Sequence, residues 1–573
     1  MARACGPAFF RLTQGQPQLL SFVNYFSRPG LGWRIVTLLI ALCVLAPVAA
    51  LLWFAVQGSA DHWAHLLQFV LPVAFRNTVL LLLGTGVLVS CLGVGSAWLI
   101  TAYDFPTRRM LSWALLLPLA VPTYIVAFAY LDLLHPIGPI QTLLRDLLGY
   151  DSPRQFRLPD LRSLPGAIFL LGFVLYPYVY LSTRVMFATQ AASLLEAARI
   201  LGSSGRSAFF RVALPMARPA IAVGVSLALL ETLNDIGASE FLGVQTLTVS
   251  VYTTWVTRSD LAGAAQIALA MVGIVAVLIL CERYGRRRQR YASTQRTRTL
   301  RPRKLKGVYA LTAMALGWSP IVIGFVAPGL YLLNETIKHF NDVGSISDQL
   351  LNSGYNTVKI ALIATTLTVA AGLVAAWTAR LVRHGAPMNM SRLCARVATS
   401  GYAIPGTVLA IGLLMPIMLL DKSAAWIWQA LGNPEPGLLF MGTSGALVGA
   451  YMIRFLAISI GGIEAGLARI PPSLEHASRL LGETSSGTLR RVHLPLLRPA
   501  LGAAALLVFV DTMKELPATL LLRPVNFETL ATWLYAEAAR GTYEEGAVAA
   551  LAIVLAGLLP VILLARAQLK TSH

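Results

Sequence analysis

Six polar residues stand where the chain is otherwise apolar. Glu231, Asn234 and Asp235 follow the apolar run 219–230, and Asp511, Lys514 and Glu515 follow the run 499–510. Three- and four-residue spacing puts each trio on one helical face. Counted from Pro219 at 1.5 Å per residue, Glu231 lies about 18 Å along its helix, beyond the middle of a ~30 Å hydrocarbon core. Ionisable groups at that depth are expensive unless they face a cavity or a partner. Four carboxylates and one ammonium beside a path through the membrane suit a hard cation in transit, because carboxylate oxygens are hard ligands. The same set also reads as a closed gate, with Lys514 paired to Asp511 or Glu231. Passage of a cation argues against a tight, permanent metal site.

Other chemistry has no motif to carry it. The sequence contains no GxxxxGK[ST] phosphate loop, so the chain is not expected to hydrolyse ATP. It contains no HExxH, CxxC or GxSxG, so no catalytic residues are assigned and a membrane enzyme is not expected. Cys5, Cys43, Cys91, Cys281 and Cys394 show no paired spacing and read as small buried hydrophobes.

The elements that position the six residues are membrane helices. Apolar residues make up 56% of the chain and charged residues 13%, well below the roughly one quarter charged that soluble domains carry, and mean hydropathy is +0.67. Runs 35–56, 77–103, 110–131, 163–183, 261–281, 307–334, 360–379, 397–420 and 546–565 hold no charged side chain. Each reaches the roughly 20 residues a spanning helix needs. With 437–463, interrupted by Arg454, and the two runs before the polar trios, the expectation is twelve spans in an all-α polytopic membrane protein. The polar N-terminal segment lacks a cleavage site after a short apolar core, so the first span reads as a retained anchor.

Two polar loops between spans are near copies. Residues 196–221, EAARILGSSGRSAFFRVALPMARPAI, and 476–501, HASRLLGETSSGTLRRVHLPLLRPAL, agree at 11 of 26 positions at an offset of 280. RNTVLLLLGTG from Arg76 matches YNTVKIALIAT from Tyr355 at an offset of 279, and ETLNDIGA from Glu231 matches DTMKELPA from Asp511 at 280. Matching offsets over so long a stretch indicate duplication of a six-span unit, with a pseudo-two-fold axis along the membrane normal and a pore between the halves. The expected units are 35–282, with its loop at about 193–219, and 307–566, with its loop at about 472–499. A segment 1–34, a basic linker 283–306 and a tail 567–573 flank them.

In the first loop, Ser193 and Glu196 form a capping box. The short helix that follows ends at Gly202, a residue type that takes the left-handed C′ conformation readily. Ser203 and Ser204 offer a second cap, for another short helix from Gly205 ending before Pro215. Phe209, Phe210 and Val212 are not expected to remain in water. Two such knobs on one face suggest two sockets on a partner.

Glu196, Ala197 and Ala198, then Gly202, Leu214 and Pro215, resemble the EAA loop of binding-protein-dependent ABC importer permeases. Glu475, His476, Ala477, Gly482, Leu494 and Pro495 repeat it, with His476 for the usual Glu and Ser478 for the second Ala. The resemblance implies a type I ABC importer permease fold, and loops that seat as coupling helices on two copies of a cytoplasmic ATPase. ATP and Mg would be used by that partner and no cofactor held by this chain. A periplasmic solute-binding protein would deliver the solute. Residues 231–255 and 511–524 resemble the fused permeases of ferric-iron uptake, while relatives for thiamine, sulfate, phosphonate and polyamines share the architecture.

Charge placement sets the expected orientation. Segments 1–34, 104–109, 184–218, 282–306, 380–396, 464–498 and 566–573 hold 33 Lys plus Arg against 6 acidic residues, and the rest of the chain 13 against 20. This is the positive-inside pattern of a bacterial inner-membrane protein with both termini cytoplasmic. It accounts for the net charge of +20 with the lipid bilayer as partner and no nucleic acid. Linker residues 283–306 carry eleven basic side chains and no acidic one, a composition that builds no core and is drawn to anionic headgroups. An ion-coupled secondary transporter shares the two-fold plan but gives no reason for duplicated knobs.

Overall fold

The computed structural model describes residues 31–57, 64, 66–189, 198, 200, 202–286, 302–381, 390–434 and 436–571. Among them, eleven helices are long and apolar enough to cross a membrane, and a pair bent by 91°, Arg108–Ala120 with Thr123–Leu133, makes a twelfth crossing. Numbered along the chain, spans 1 to 6 are Gly32–Val56, Leu66–Ala102, the bent pair, Leu164–Ala188, Gly205–Asn234 and Leu261–Gly285. Spans 7 to 12 are Val308–Asp342, Asp348–Leu381, Gly406–Ala430, Ser444–Ala468, Ser485–Met513 and Tyr543–Leu563. The fold is all-α apart from a two-residue parallel pairing of Tyr103–Asp104 with Arg303–Lys304.

The duplication extends to backbone detail. The bend of span 3 is a 3-10 turn, Leu117–Ala120, followed by Pro122 at φ −57° and ψ 145°. Span 9 is preceded by a 3-10 turn, Thr399–Ala403, and then Pro405 at the same two angles. Proline fixes φ and pushes the residue before it out of the helical region, so each bend is built into the sequence. Close helix crossings repeat as well. A Cβ on Gly93 would lie 2.9 Å from the Tyr176 carbonyl of span 4, and one on Gly372, 279 residues later, would meet Ser459 of span 10. Small residues at such crossings let membrane helices approach backbone to backbone.

The backbone of the knobs departs from the sequence expectation where each loop joins its span. Helix Gly205–Ala208 does not stop before Pro215; it runs through a five-residue π-turn, Phe209–Ala213, into Leu214–Asn234. The second copy does the same through Leu489–His493 into Leu494–Met513. Each proline falls in the first turn after the widening, where a missing N–H is tolerated and the wide turn takes up the ring. The capping pair Ser193–Glu196 lies outside the described residues. Cys43, Cys91 and Cys281, expected to be buried, are exposed on apolar spans, and of the described cysteines Cys394 alone is buried.

The halves exchange their first helices. Span 1 packs against spans 8 and 9 as well as span 6, and Thr37 Oγ1 donates to Thr378 Oγ1 at 3.0 Å. Span 7 packs against spans 3 and 12, where Tyr130 OH donates to the Ile323 carbonyl and Tyr331 OH to Asp132 Oδ2, each at 2.8 Å. One buried core joins Leu81, Phe128 and Tyr176 with Leu332 and Leu534, and a second joins Val44 and Met271 with Val408 and Leu456. The linker therefore divides the chain but not the packing. Trp33 Nε1 donates to Ser486 Oγ at 3.3 Å, placing the start of span 1 beside the second knob. Counting crossings puts both knobs on this loop face and the segments 134–163 and 431–443 on the distal face.

Candidate functional site

The polar trios stand where spans 5 and 11 end. Leu214–Asn234 stops at Asn234, Asp235 is extended (φ −73°, ψ 116°), and a short helix Gly237–Phe241 begins. Span 11 stops at Met513 and Pro517–Leu522 follows. A break inside a membrane exposes backbone amides that must find acceptors. Asp235 supplies them: its Oδ1 accepts from Ala238 N at 2.7 Å and from Ser239 N at 3.4 Å, and its Oδ2 accepts from Thr123 Oγ1. Glu515 acts identically, accepting from Ala518 N at 3.0 Å, Thr519 N at 3.1 Å and Thr519 Oγ1 at 2.7 Å. Both carboxylates are buried. Of the four acids expected beside the path, these two are held by the backbone that they cap.

All six residues line one cavity of about 100 Å³ between the halves, together with Tyr178, Tyr402 and Arg454. That is room for a few waters and not an open conduit. Glu231 Oε1 accepts from Tyr402 OH at 2.8 Å. Asn234 Oδ1 accepts from Gly406 N at 2.7 Å and from Arg454 Nη1 at 2.9 Å. Tyr124 OH donates to the Lys514 carbonyl at 3.3 Å. Each of these bonds joins one half to the other. Lys514 Nζ sits 2.8 Å from Asp511 Oδ1, the first of the two pairings open from sequence, and Arg454 Nη1 lies 3.9 Å from Glu515 Oε1. Both cations of the cavity thus stand beside carboxylates of the second half.

Nothing in the sequence alone points to Tyr402, Thr123 or Gly406. Arg454 carried a signal, being the one charge in the apolar run 437–463. At an offset of 280 its counterpart is Val174, as Asn234 is the counterpart of Lys514, so both cations of the cavity belong to the second half. The lining carries four carboxylates against two cations.

The knobs are the second candidate surface. Gly202 and Gly482 both stand at φ +83°, a left-handed conformation that glycine adopts without a Cβ clash. Ser203 N donates to the Ala198 carbonyl at 3.0 Å, and Glu483 N to that of Ser478 at 3.1 Å, closing both turns alike. Ser204 and Thr484 cap the following helices. Ile200 and Leu480, again 280 apart, are 86% and 88% exposed, with Phe210 and Leu481 at 63% and 84%. His476, Ala477 and Pro495 are exposed, while Ala198, Leu214, Pro215 and Leu494 are half-buried. Glu196 and Ala197 lie outside the described residues.

Glu475, expected on the coupling surface, points inward. It is buried against Arg380, with His493 Nε2 3.2 Å from its Oε1. Arg380 also donates to the Leu467 carbonyl and, at 2.7 Å, to that of Ile470, satisfying the end of span 10. The His493 ring packs on Trp377 at 4.7 Å. In the first half the matching Trp98, 279 residues earlier, packs instead on Phe187 at 5.4 Å and Phe209 at 4.9 Å. Among the described residues, the second knob is anchored by buried charge, and the end of the first rests on aromatic contact.

Comparison with known proteins agrees with this architecture. Residues 90–291 match the family described as binding-protein-dependent transport system inner membrane component. The Fe(3+)-transport system permease protein FbpB 2 of Haemophilus influenzae is 24% identical over 549 residues, 95% of this chain and 99% of its own length. The probable ABC transporter permease protein y4fN of Sinorhizobium fredii is 25% identical over 560 residues, 93% of this chain and 94% of its own. The sulfate transport system permease protein CysT of Salmonella typhimurium, 26% identical, covers 45% of this chain with 95% of its own length. Such a relative corresponds to one half of the duplicated plan. Two six-span halves on one polypeptide, each with a glycine-closed knob on the same face, give the chain the plan and length of the Haemophilus permease, and its residues 90–291 match the domain of binding-protein-dependent transport system inner membrane components.

Proposed function

We propose that this chain forms the passage of an ATP-driven importer that takes ferric iron from a periplasmic binding protein into the cytoplasm. The knobs would lie in the cytoplasm, as the positive-inside charge distribution favours, and each would seat on one copy of an ATPase subunit that binds ATP and Mg. The observation that carries the reading is the matched exposure of Ile200 and Leu480 on loops of identical turn geometry. Exposed leucine-class side chains on a water-facing loop mark a protein contact. ATP-driven closure of the partner dimer would draw the knobs together, rock the halves, and break the bonds of Asn234 and Glu231 that close the cavity.

Iron is favoured over an oxyanion by two things. The similarity to the ferric permease extends over both halves, whereas the sulfate permease matches one. The cavity lining carries more carboxylates than cations, which favours a positive solute. Glu231 and Asp511 are the acids left free of backbone capping to meet it. The test is transport into proteoliposomes holding this chain, its ATPase and a binding protein. Iron-loaded binding protein should stimulate ATP hydrolysis and radio-iron entry. Stimulation by sulfate or molybdate instead would reassign the solute, and no stimulation by any loaded binding protein would overturn the importer reading.

A further inference from the structure

Between spans 3 and 4, on the distal face, the chain makes a ten-residue helix, Pro139–Leu148, that is built inside out. Its buried side chains are polar: Gln141 and Arg145, one turn apart, are 2% and 5% exposed. Three of its leucines face outward, Leu143, Leu147 and Leu148 at 60%, 75% and 55%, while Ile140 and Leu144 are half-buried. The polar strip has a local cause. Gln141 Nε2 donates to the Leu134 carbonyl at 2.6 Å and Arg145 Nη1 to that of Pro136 at 2.7 Å. These carbonyls belong to the turn that follows span 3, whose backbone would otherwise lack partners. The leucine strip has no such explanation within the chain. Thr142 and Asp146 are exposed on the side away from the leucines.

We propose that Pro139–Leu148 is an interfacial foot that lies in the headgroup–acyl boundary of the distal leaflet, leucines toward the acyl chains and Asp146 toward water. Its depth follows from its tether: the helix begins within six residues of Leu133, the last residue of span 3, and its own side chains bind the turn that follows that span. A short helix with an apolar strip opposite a polar one is the form that lies in such a plane. Aromatic rings sit at its end, where Tyr150 and Phe156 stack at 5.7 Å and 3°, as expected at headgroup level. The second half fixes the level independently. At the corresponding distal end of span 9, Trp426, Ile427 and Trp428 are 71%, 53% and 48% exposed on a helix that is itself a membrane span. At this level the second half also exposes apolar side chains, and a phospholipid leaflet is the occupant the leucine strip fits.

The test uses the full-length chain with its native cysteines replaced by alanine, a nitroxide placed by Leu147→Cys or Asp146→Cys, and vesicles of phosphatidylethanolamine and phosphatidylglycerol. Oxygen should relax the Leu147 label and a water-soluble nickel complex the Asp146 label, with Leu147 roughly 5–10 Å below the headgroup boundary. Leu143→Cys gives the same reading should the Leu147 variant fold poorly. A Leu147 label as open to nickel as that at Asp146 overturns the assignment. So does one open in vesicles and closed only when a binding protein is added, which would give the strip to a protein partner. Neither result depends on which solute is carried.

Discussion

Replacing Glu475 by glutamine should destabilise the isolated permease, although the residue sits in a loop that resembles a partner-binding motif. Glu475 and Arg380 are 3% and 9% exposed, so the pair is shielded from water and salt. With Glu475 neutral, Arg380 keeps the Leu467 and Ile470 carbonyls but loses its counter-charge. Removing one member of a buried ion pair costs about 3–5 kcal/mol. The guanidinium keeps two of its acceptors and His493 remains beside the site, so the lower end, about 3 kcal/mol, is expected. That is more than a hundredfold in an unfolding equilibrium, at roughly 1.4 kcal/mol per tenfold. The double variant Arg380→Met, Glu475→Leu should return close to wild-type stability, because an apolar pair of similar volume replaces a buried ion pair at little cost. The assay is denaturant unfolding of the purified chain in mixed micelles with no ATPase present. A Glu475→Gln protein within about 0.5 kcal/mol of wild type would refute the inward anchoring, since that is the scale of an ordinary surface substitution.

Other consequences separate anchoring from coupling and gating. Ile200→Ser with Leu480→Ser should leave the stability of the isolated chain unchanged within about 0.5 kcal/mol and abolish co-purification of the ATPase, read by quantitative pull-down. Gly482→Val forces a β-branched side chain to φ +83°; it should cost about 1–3 kcal/mol by thermal unfolding, and Gly202→Val the same. Asn234→Ala removes the acceptor for both Gly406 N and Arg454 Nη1; in proteoliposomes it should raise passive leak of small ions, measured by dye release, with nothing bound at the knobs. Asp235→Asn keeps an acceptor for Ala238 N and should cost less stability than Asp235→Ala, since the alanine leaves buried amides bare at about 1–3 kcal/mol each.

Much of this architecture is legible in the sequence. Uncharged runs locate the spans because lipid tolerates little else over that length, and a fixed offset of 280 carries the plan, the knobs and the left-handed glycines from one half to the other. The polar trios were legible as a group for the same reason: charge in an apolar run is costly and therefore placed. What escaped was lateral. Hydropathy says that span 1 crosses the membrane, not that it packs on span 9, because lipid-facing and helix-facing leucines are chemically alike. Glu475 looks like a displaced motif residue until Arg380, 95 positions earlier in the chain, is found beneath it. Tyr402 and Gly406 reach the cavity only through the turn that Pro405 imposes, and Arg454 reads as a blemish in a span until Asn234 is seen opposite. The capping role of Asp235 and Glu515 is hidden for a further reason: the helix breaks they cap, before Gly237 and Pro517, lie inside largely apolar sequence.

The exchanged first helices set a schedule for biosynthesis. The ribosome releases span 1 long before its resting place is made, since Thr37 awaits Thr378, 341 residues downstream. At about 5–20 residues per second the wait is roughly 20–70 s. During that interval the earliest helix idles in the bilayer against lipid or an insertase, and cutting the gene at the linker would leave two products, each unfinished until it meets the other.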